Sequence, residues 1–147
     1  MPESQNDDLI FKAQGLTKVY RMGDVEVHAL RGIDLELRAG DFVVILGPSG
    51  SGKSTLLNIL GGLDVPSSGQ MWYHGEDLTQ ANDARLTQFR RQHVGFVFQF
   101  YNLVPNLTVR ENIQVTSYLS ANPLDTQELI ETLGLSAHAD KFPSQLS

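Results

Sequence analysis

The chain has 147 residues, which is enough for one hydrophobic core and short for two. Eleven Lys and Arg residues stand against 17 Asp and Glu residues, and the net charge of −6 argues against binding nucleic acid or anionic lipid nonspecifically. The sequence has no cysteine, which excludes a disulfide framework and a cysteine-based zinc site.

The start of the chain is polar and acidic. Residues 1–8 therefore predict a disordered lead-in rather than a secretion signal. No apolar run approaches the ~18 residues that are needed to cross a bilayer. We expect a cytoplasmic chain that reaches a membrane only through a partner.

Short extended segments follow at residues 9–11, 25–27 and 33–37. Residues 33–37 alternate between apolar and polar side chains, which is typical of a strand with one face in water. Residues 42–46 are continuously apolar and predict a buried strand. The pattern indicates an antiparallel β-rich entry into an α/β core.

A glycine-rich loop at residues 47–55 comes directly after this predicted strand. Gly47, Gly52, Lys53 and Ser54 fill the phosphate-binding pattern G-x-x-x-x-G-K-[ST]. A helix is predicted next, because five apolar residues fall on one helical face. They are Leu56, Leu57, Ile59, Leu60 and Leu63.

The order of strand, glycine turn and helix suits a triphosphate. Glycines let backbone N–H groups approach an anion without interference from Cβ, and the positive end of the helix faces the same phosphates. Lys53 can reach the β- and γ-phosphates, while the Ser54 hydroxyl suits Mg²⁺. A plain glycine-rich turn is the alternative, which the strand and helix context disfavours. The predicted phosphate site comprises Gly47, Pro48, Ser49, Gly50, Ser51, Gly52, Lys53, Ser54 and Thr55.

Further elements follow the loop. Residues 70–73 predict a strand, and Asn82 or Asp83 can cap a short helix that ends near Gln92. This helix turns Leu86 and Phe89 inward.

The second half of the chain begins with another apolar run. Residues 94–98 predict a second buried strand, and Gln99 ends it. Asp125 is predicted to cap the start of a helix that carries Leu129, Ile130 and Leu133, and Gly134 is predicted to end this helix. Two buried strands indicate a mixed or parallel sheet with helices outside it.

The histidines are widely spaced and show no metal-ligand spacing, so we interpret them as structural or surface residues: His28, His74, His93 and His138.

Taken in order, these pieces resemble the ATP-binding domain of ABC transporters, and most of all the subgroup that serves lipoprotein release and macrolide export. The resemblance runs from about residue 9 to Ser147. It is carried by Leu-Thr-Lys-Val-Tyr at 16–20, Val-His-Ala-Leu-Arg-Gly at 27–32, the loop at 47–55, Leu-Gly-Gly-Leu-Asp at 60–64, Val-Gly-Phe-Val-Phe-Gln at 94–99, Asn-Leu-Val-Pro at 102–105 and Glu-Asn-Ile at 111–113.

The resemblance implies a fold. It is an α/β P-loop NTPase (RecA-like) core with an N-terminal antiparallel β subdomain and the beginning of a helical subdomain. The domain is incomplete and spans 9–147, with the β subdomain and P-loop core at 9–100 and the helical subdomain at 101–147.

The resemblance also implies roles for single residues. Tyr20 matches the aromatic residue that stacks on adenine, although a Tyr near the end of a strand is also ordinary. Gln99 matches the glutamine that completes the Mg²⁺ shell and senses the γ-phosphate; otherwise it is a polar residue where the sheet meets water. The residues after Gln99 either receive a membrane subunit or fill the core of the helical subdomain: Phe100, Tyr101, Leu103 and Val104.

The chain stops at Leu146 and Ser147, which match the start of the Leu-Ser-Gly-Gly-Gln signature. No residue matches the catalytic glutamate or the switch histidine, so we assign no catalytic residue. We expect the intact protein to be an ATPase that uses ATP and Mg²⁺, pairs head-to-tail with a second ATP-binding domain and drives a membrane subunit at the inner face of the membrane. The 147 residues alone are expected to lack steady-state turnover, because hydrolysis needs a group that orients water.

Three other functions are compatible with the sequence. A soluble ABC-type ATPase that acts on nucleic acid or ribosomes is disfavoured by the acidic charge. A P-loop GTPase or small-molecule kinase is disfavoured because no Asn-Lys-x-Asp guanine-reading motif occurs. A nonhydrolysing ATP-binding fragment is the third.

Overall fold

The computed structural model describes residues 8–146, which divide into two compact units, one ending at Arg90 and the other beginning at Arg91. The disordered lead-in predicted for residues 1–8 lies outside the described residues except for Asp8. The predicted subdomain boundary after residue 100 stays a prediction. The elements in chain order are β1 (Leu9–Met22), β2 (Val25–Arg38), α1 (Lys53–Leu60), β3 (Ser68–Tyr73), β4 (Glu76–Asp77), α2 (Asp83–His93), α3 (Val109–Ser117) and α4 (Thr126–Thr132), with 3-10 turns at Ser136–His138 and Pro143–Gln145.

The sheet has four antiparallel strands in the order β2-β1-β3-β4. Strands β1 and β2 form a long hairpin across Gly23, whose φ of 63° lies in the left-handed region that glycine tolerates. The extended segments predicted at 9–11, 25–27 and 33–37 are confirmed and belong to these two longer strands. The alternation predicted at 33–37 is also confirmed, because its apolar side chains are partly buried and its acidic ones exposed. This hairpin is the scaffold of the first unit.

Two helices complete the core of the first unit. Helix α1 buries Leu56 and Ile59, and helix α2 buries Leu86 and Phe89 as the sequence predicts. The Phe89 ring meets Tyr73 of β3 edge to face, with 5.0 Å between the ring centroids. The sheet contributes five buried apolar side chains: Phe11, Ala13, Leu16, Leu30 and Met71.

The two predicted buried strands are wrong for the described part of the chain. Residues 42–46 and 94–98 form no strand, and Phe42 is 93% exposed while Val97 is fully exposed. A strand requires a neighbour that takes its N–H and C=O groups, and neither run pairs with another described segment. The parallel or mixed sheet is therefore absent from residues 8–146, whose sheet is wholly antiparallel.

The predicted apolar face after the phosphate loop is only partly correct. Helix α1 ends at Leu60, so Leu63 lies beyond it and is exposed. Leu57 lies within the helix but is 54% exposed. The helix is shorter than its apolar pattern, because the chain turns at Gly62 with a φ of 71°.

The second unit contains helices whose starts are encoded locally. Thr108 caps α3 by accepting a hydrogen bond from the Glu111 N–H, while the Glu111 carboxylate accepts from the Thr108 N–H. Asp125 caps α4 as predicted by accepting from the Glu128 N–H at 2.9 Å. Within residues 8–146, no helix combines the length and the apolar character that crossing a membrane requires.

Helix α1 offers a matched test of this core. Ile59→Ala is expected to lower the free energy of unfolding by about 2–5 kcal/mol, because Ile59 is fully buried. Leu57→Ala, on the same helix, is expected to cost about 1 kcal/mol or less. Denaturant unfolding followed by circular dichroism measures both, and equal losses would contradict this packing.

Candidate functional site

The glycine loop leads into helix α1 through a left-handed residue. Gly52 precedes the helix with a φ of 91°, and a Cβ at this position would overlap the carbonyl oxygen of Ala29 in β2. A Cβ at Gly47 would lie 2.6 Å from the Ser51 Oγ. Gly50 is also left-handed, with a φ of 79°. The loop therefore needs glycines for its conformation and for its close approach to β2.

The start of α1 presents free hydrogen-bond donors. No side chain caps this end, and the first intrahelical bond runs from the Leu56 N–H to the Gly52 carbonyl. Within the described part of the chain, the N–H groups of Lys53, Ser54 and Thr55 donate to no other residue. Such unpaired donors at the positive end of a helix form an anion site.

The ammonium group of Lys53 lies against the same loop. Its Nζ donates to the carbonyl oxygens of Gly47 and Pro48, each at 2.7 Å, and lies 3.3 Å from the Ser51 Oγ. Neutral carbonyls are weaker partners for an ammonium group than phosphate oxygens are. Phosphate oxygens that enter the cleft can therefore replace these carbonyl oxygens as the hydrogen-bond acceptors of the Lys53 ammonium.

Tyr20 and the glycine loop line one cleft. Its volume is about 570 Å³, which lies within the range of small-molecule sites. The cleft brings Tyr20 together with residues of the loop more than 28 positions away in the sequence. Its lining residues are Tyr20, Val27, His28, Ala29, Ser49, Gly50, Gly52, Lys53, Ser54 and Thr55.

The Tyr20 side chain is held by a charged cluster beyond the end of α1. Its hydroxyl donates to Asp64 Oδ2 at 2.9 Å, and Lys18 Nζ donates to Asp64 Oδ1 at 2.7 Å. Partial burial raises the pKa of the Asp64 carboxyl, but hydrogen bonds from Lys18, the Val65 N–H and Tyr20, with the Lys18 charge, outweigh it. The pKa of Asp64 therefore lies below its usual value of 3.8.

Sequence reasoning missed several residues of this region. It gave Lys18 and Asp64 no role. His28 is exposed, in line with its interpretation as a structural or surface residue, and it also lines the cleft. The residues of β2 that lie near Tyr20 could have been found from the hairpin register. The glycine turn sets Val27 opposite Tyr20 and His28 opposite Val19. No comparable local signal exists for Asp64, which lies 44 positions from Tyr20.

The residues predicted for Mg²⁺ lie in different units. Ser54 is exposed at the start of α1, and its hydroxyl makes no hydrogen bond to another described residue. A free hydroxyl beside a phosphate site fits a cation that prefers oxygen ligands. Gln99 lies in the second unit, in irregular backbone and with an exposed side chain, so its role stays a prediction.

The apolar residues after Gln99 do not fill a core. Phe100 and Tyr101 are largely exposed, and Leu103 and Val104 are about half exposed. The core-filling alternative is therefore wrong for the described part of the chain. Of the predicted signature start, Leu146 is described and Ser147 lies outside the described residues.

Comparisons with known proteins agree with this geometry. A family model described as ABC transporter matches residues 30–147. The macrolide export ATP-binding/permease protein MacB of Marinobacter nauticus is 43% identical over 143 residues, which are 94% of this chain and 22% of that protein. The lipoprotein-releasing system ATP-binding protein LolD of Chromohalobacter salexigens is 36% identical over 151 residues, covering 99% of this chain and 64% of that protein.

A solved structure matches both the sequence and the fold. The chain aligns with a dimeric ATP-binding cassette, MJ0796, in a post-hydrolysis state bound to ADP and Pi. The TM-score is 0.83 at 37% identity, over 94% of this chain and 63% of the cassette. Other curated relatives, 42–46% identical, are also longer, and the chain spans 31–58% of their length.

The Asp64 cluster predicts how stability depends on pH. Because the pKa of Asp64 is lower in the folded chain than its usual value of 3.8, the carboxylate stabilises the fold at pH values above 3.8. This contribution is lost as the pH falls through the folded value. The free energy of unfolding of the unmodified chain should therefore fall more steeply below about pH 4 than that of Asp64→Asn.

Denaturant unfolding at a series of pH values measures this difference. Lys18→Met removes the main donor to Asp64 and serves as a second variant, whose acid-induced loss should also be smaller than that of the unmodified chain. Parallel curves for all three proteins would contradict a role of the cluster in acid stability.

Proposed function

Because the chain belongs to the ABC transporter family, as part of its ATP-binding domain, we propose that the cleft between Tyr20 and the glycine loop binds Mg-ATP. The fold is the P-loop fold of that family with an antiparallel β subdomain, and it is a partial domain relative to the MJ0796 cassette. One observation carries the proposal. An aromatic side chain, the Lys53 ammonium and the unpaired N–H groups of α1 border the same cleft.

Each part of the nucleotide has a chemical partner in the cleft. The triphosphate lies against the first turn of α1, where backbone N–H groups and Lys53 offset its charge. The adenine stacks on the Tyr20 ring, which grips a base through its π face. Mg²⁺ would supply positive charge to the phosphates, and the Ser54 hydroxyl at the start of α1 would hold it, while the role expected of Gln99 stays a prediction.

The complete protein hydrolyses ATP and couples it to a membrane partner in this proposal. A second ATP-binding domain pairs with it head-to-tail in this proposal, and the dimeric MJ0796 cassette is a precedent for pairing as such. The relatives named for macrolide export and lipoprotein release support an exporter or lipoprotein-release system. Such a domain is cytoplasmic and lies at the inner face of the membrane through its partner, without a nucleic-acid partner.

We further propose that the 147 residues alone bind ATP without sustained turnover. The residues that line the cleft in the described part of the chain include no carboxylate that can orient an attacking water. His28 is the titratable imidazole of the lining, and it lies 3.8 Å from the Glu26 carboxylate. Its exposed position on β2 does not distinguish it as a general base.

Substitution of Lys53 tests nucleotide binding. Lys53→Ala removes the charge that faces the phosphates, so the Kd for Mg-ATP should rise at least about tenfold. Lys12→Ala makes the same change of net charge on β1, away from the cleft, and should leave the Kd within about twofold. Isothermal titration calorimetry measures both.

Phosphate release from the same purified proteins tests the second proposal. The unmodified chain and Lys53→Ala should release phosphate at the same background rate. Turnover that Lys53→Ala abolishes would overturn the proposal that the 147 residues lack sustained hydrolysis, and an unchanged ATP affinity in Lys53→Ala would overturn the binding site itself.

A further inference from the structure

The carboxylate of Asp64 lies at the centre of a small hydrogen-bond network beyond α1. Oδ1 accepts from Lys18 Nζ at 2.7 Å and from the Val65 N–H at 2.8 Å, and Oδ2 accepts from the Tyr20 hydroxyl at 2.9 Å. Lys18 Nζ also donates to the Val65 carbonyl at 2.6 Å. The Lys18 side chain is only 12% exposed, so this ion pair is better shielded from water than an ordinary surface pair.

We propose that Asp64, supported by Lys18, is a positioning residue that fixes the Tyr20 ring at the base end of the nucleotide cleft. The inference rests on the proposed function, because it concerns the same cleft. A partly exposed Tyr side chain has rotational freedom, and binding a base to a mobile ring costs the entropy of ordering it. The bond from the Tyr20 hydroxyl to Asp64 orders the ring before a nucleotide arrives.

Asp64 is itself attached firmly to helix α1. Beyond the last turn of α1, the N–H groups of Leu63 and Asp64 both donate to the Asn58 carbonyl, at 2.8 and 3.3 Å. The first turn of the same helix carries Lys53 and the phosphate-facing N–H groups. Eight helical residues rise about 12 Å, which sets the spacing between the two ends. One short helix therefore connects the phosphate end of the cleft to the support of its base end.

A second set of bonds ties the following segment to strand β1. The Ser67 N–H donates to the Thr17 carbonyl at 2.8 Å, and the Ser67 Oγ accepts from the Val19 N–H at 2.9 Å. These bonds do not involve Asp64 or Lys18. Loss of the Asp64 carboxylate should therefore release the Tyr20 ring while the backbone around it and the glycine loop stay in place.

Lys18 also contacts the ring directly. Its ammonium lies over the Tyr20 ring, 5.2 Å from the centroid, within the range of a cation–π interaction. The ring is thus held through its hydroxyl by Asp64 and through one face by Lys18, so we expect a base to stack on the opposite face. The network predicts an effect on base binding and no effect on phosphate binding.

The test compares two ligands, Mg-ATP and inorganic tripolyphosphate, because only ATP contains a base. Asp64→Ala and Tyr20→Phe should each raise the Kd for ATP about three- to tenfold while leaving the Kd for tripolyphosphate within about twofold. The two changes break the same bond, so the double variant should bind ATP no more weakly than either single variant. Asp64→Asn retains an acceptor oxygen and should restore part of the affinity.

Several results would overturn the inference. They are equal weakening of ATP and tripolyphosphate, an ATP affinity that Asp64→Ala and Tyr20→Phe leave unchanged, and losses that add in the double variant. Tyr20→Phe keeps the ring and serves as the test if Asp64→Ala does not fold, since the hydroxyl alone is removed. If the unmodified chain binds neither ligand, the proposed function fails; if binding depends on Lys53 but not on Asp64, only this inference fails.

Discussion

The close approach of Gly52 to strand β2 is the constraint on which the rest of the site depends. The backbone at Gly52 adopts a left-handed conformation directly against the Ala29 carbonyl, where a side chain would overlap that oxygen. Because the loop reaches β2 at this point, α1 begins beside the β1–β2 hairpin with its first N–H groups unpaired. The hairpin then supplies Tyr20 and its neighbours as the facing wall of the cleft. A glycine in a left-handed conformation thus joins an anion site to an aromatic surface.

Helix α1 connects the phosphate end of the cleft to the support of its base end. Its first turn carries Lys53 and the free donors, its last turn buries Ile59 in the core, and the chain beyond that turn carries Asp64. Burial of Ile59 fixes the helix, so the phosphate-facing donors and the support of Tyr20 are held by the same packing. The long-range hydrogen bonds of Asp64 do little for the core, but they determine where the Tyr20 ring stands.

Local sequence signals predicted the elements that are stabilised locally. The alternation at 33–37, the glycine loop and the Asp125 cap each correspond to an observed element, because hairpin pairing, phosphate-loop geometry and helix capping are encoded by nearby residues. The apolar runs at 42–46 and 94–98 were wrongly predicted as strands, because the burial of a strand depends on residues that are distant in the sequence. Their burial requires neighbouring strands, and a run of apolar residues does not reveal whether such neighbours are present.

Lys18 and Asp64 were missed because 46 positions separate the two residues and no local pattern reports their pairing. Tyr20 was predicted from the family resemblance; it lines the cleft, and its contact with a base stays a proposal.

A crystal structure of the chain with Mg-ATP tests the central claim most directly, since it locates every part of the nucleotide at once. The expected result has the β-phosphate at the N–H groups of Lys53, Ser54 and Thr55 and the adenine on the face of Tyr20 opposite Lys18. It also has Lys53 Nζ moved from the Gly47 and Pro48 carbonyls to phosphate oxygens. A nucleotide bound away from the cleft, or one bound in the cleft while Lys53 keeps its carbonyl partners, would contradict the claim that this loop is an ATP site.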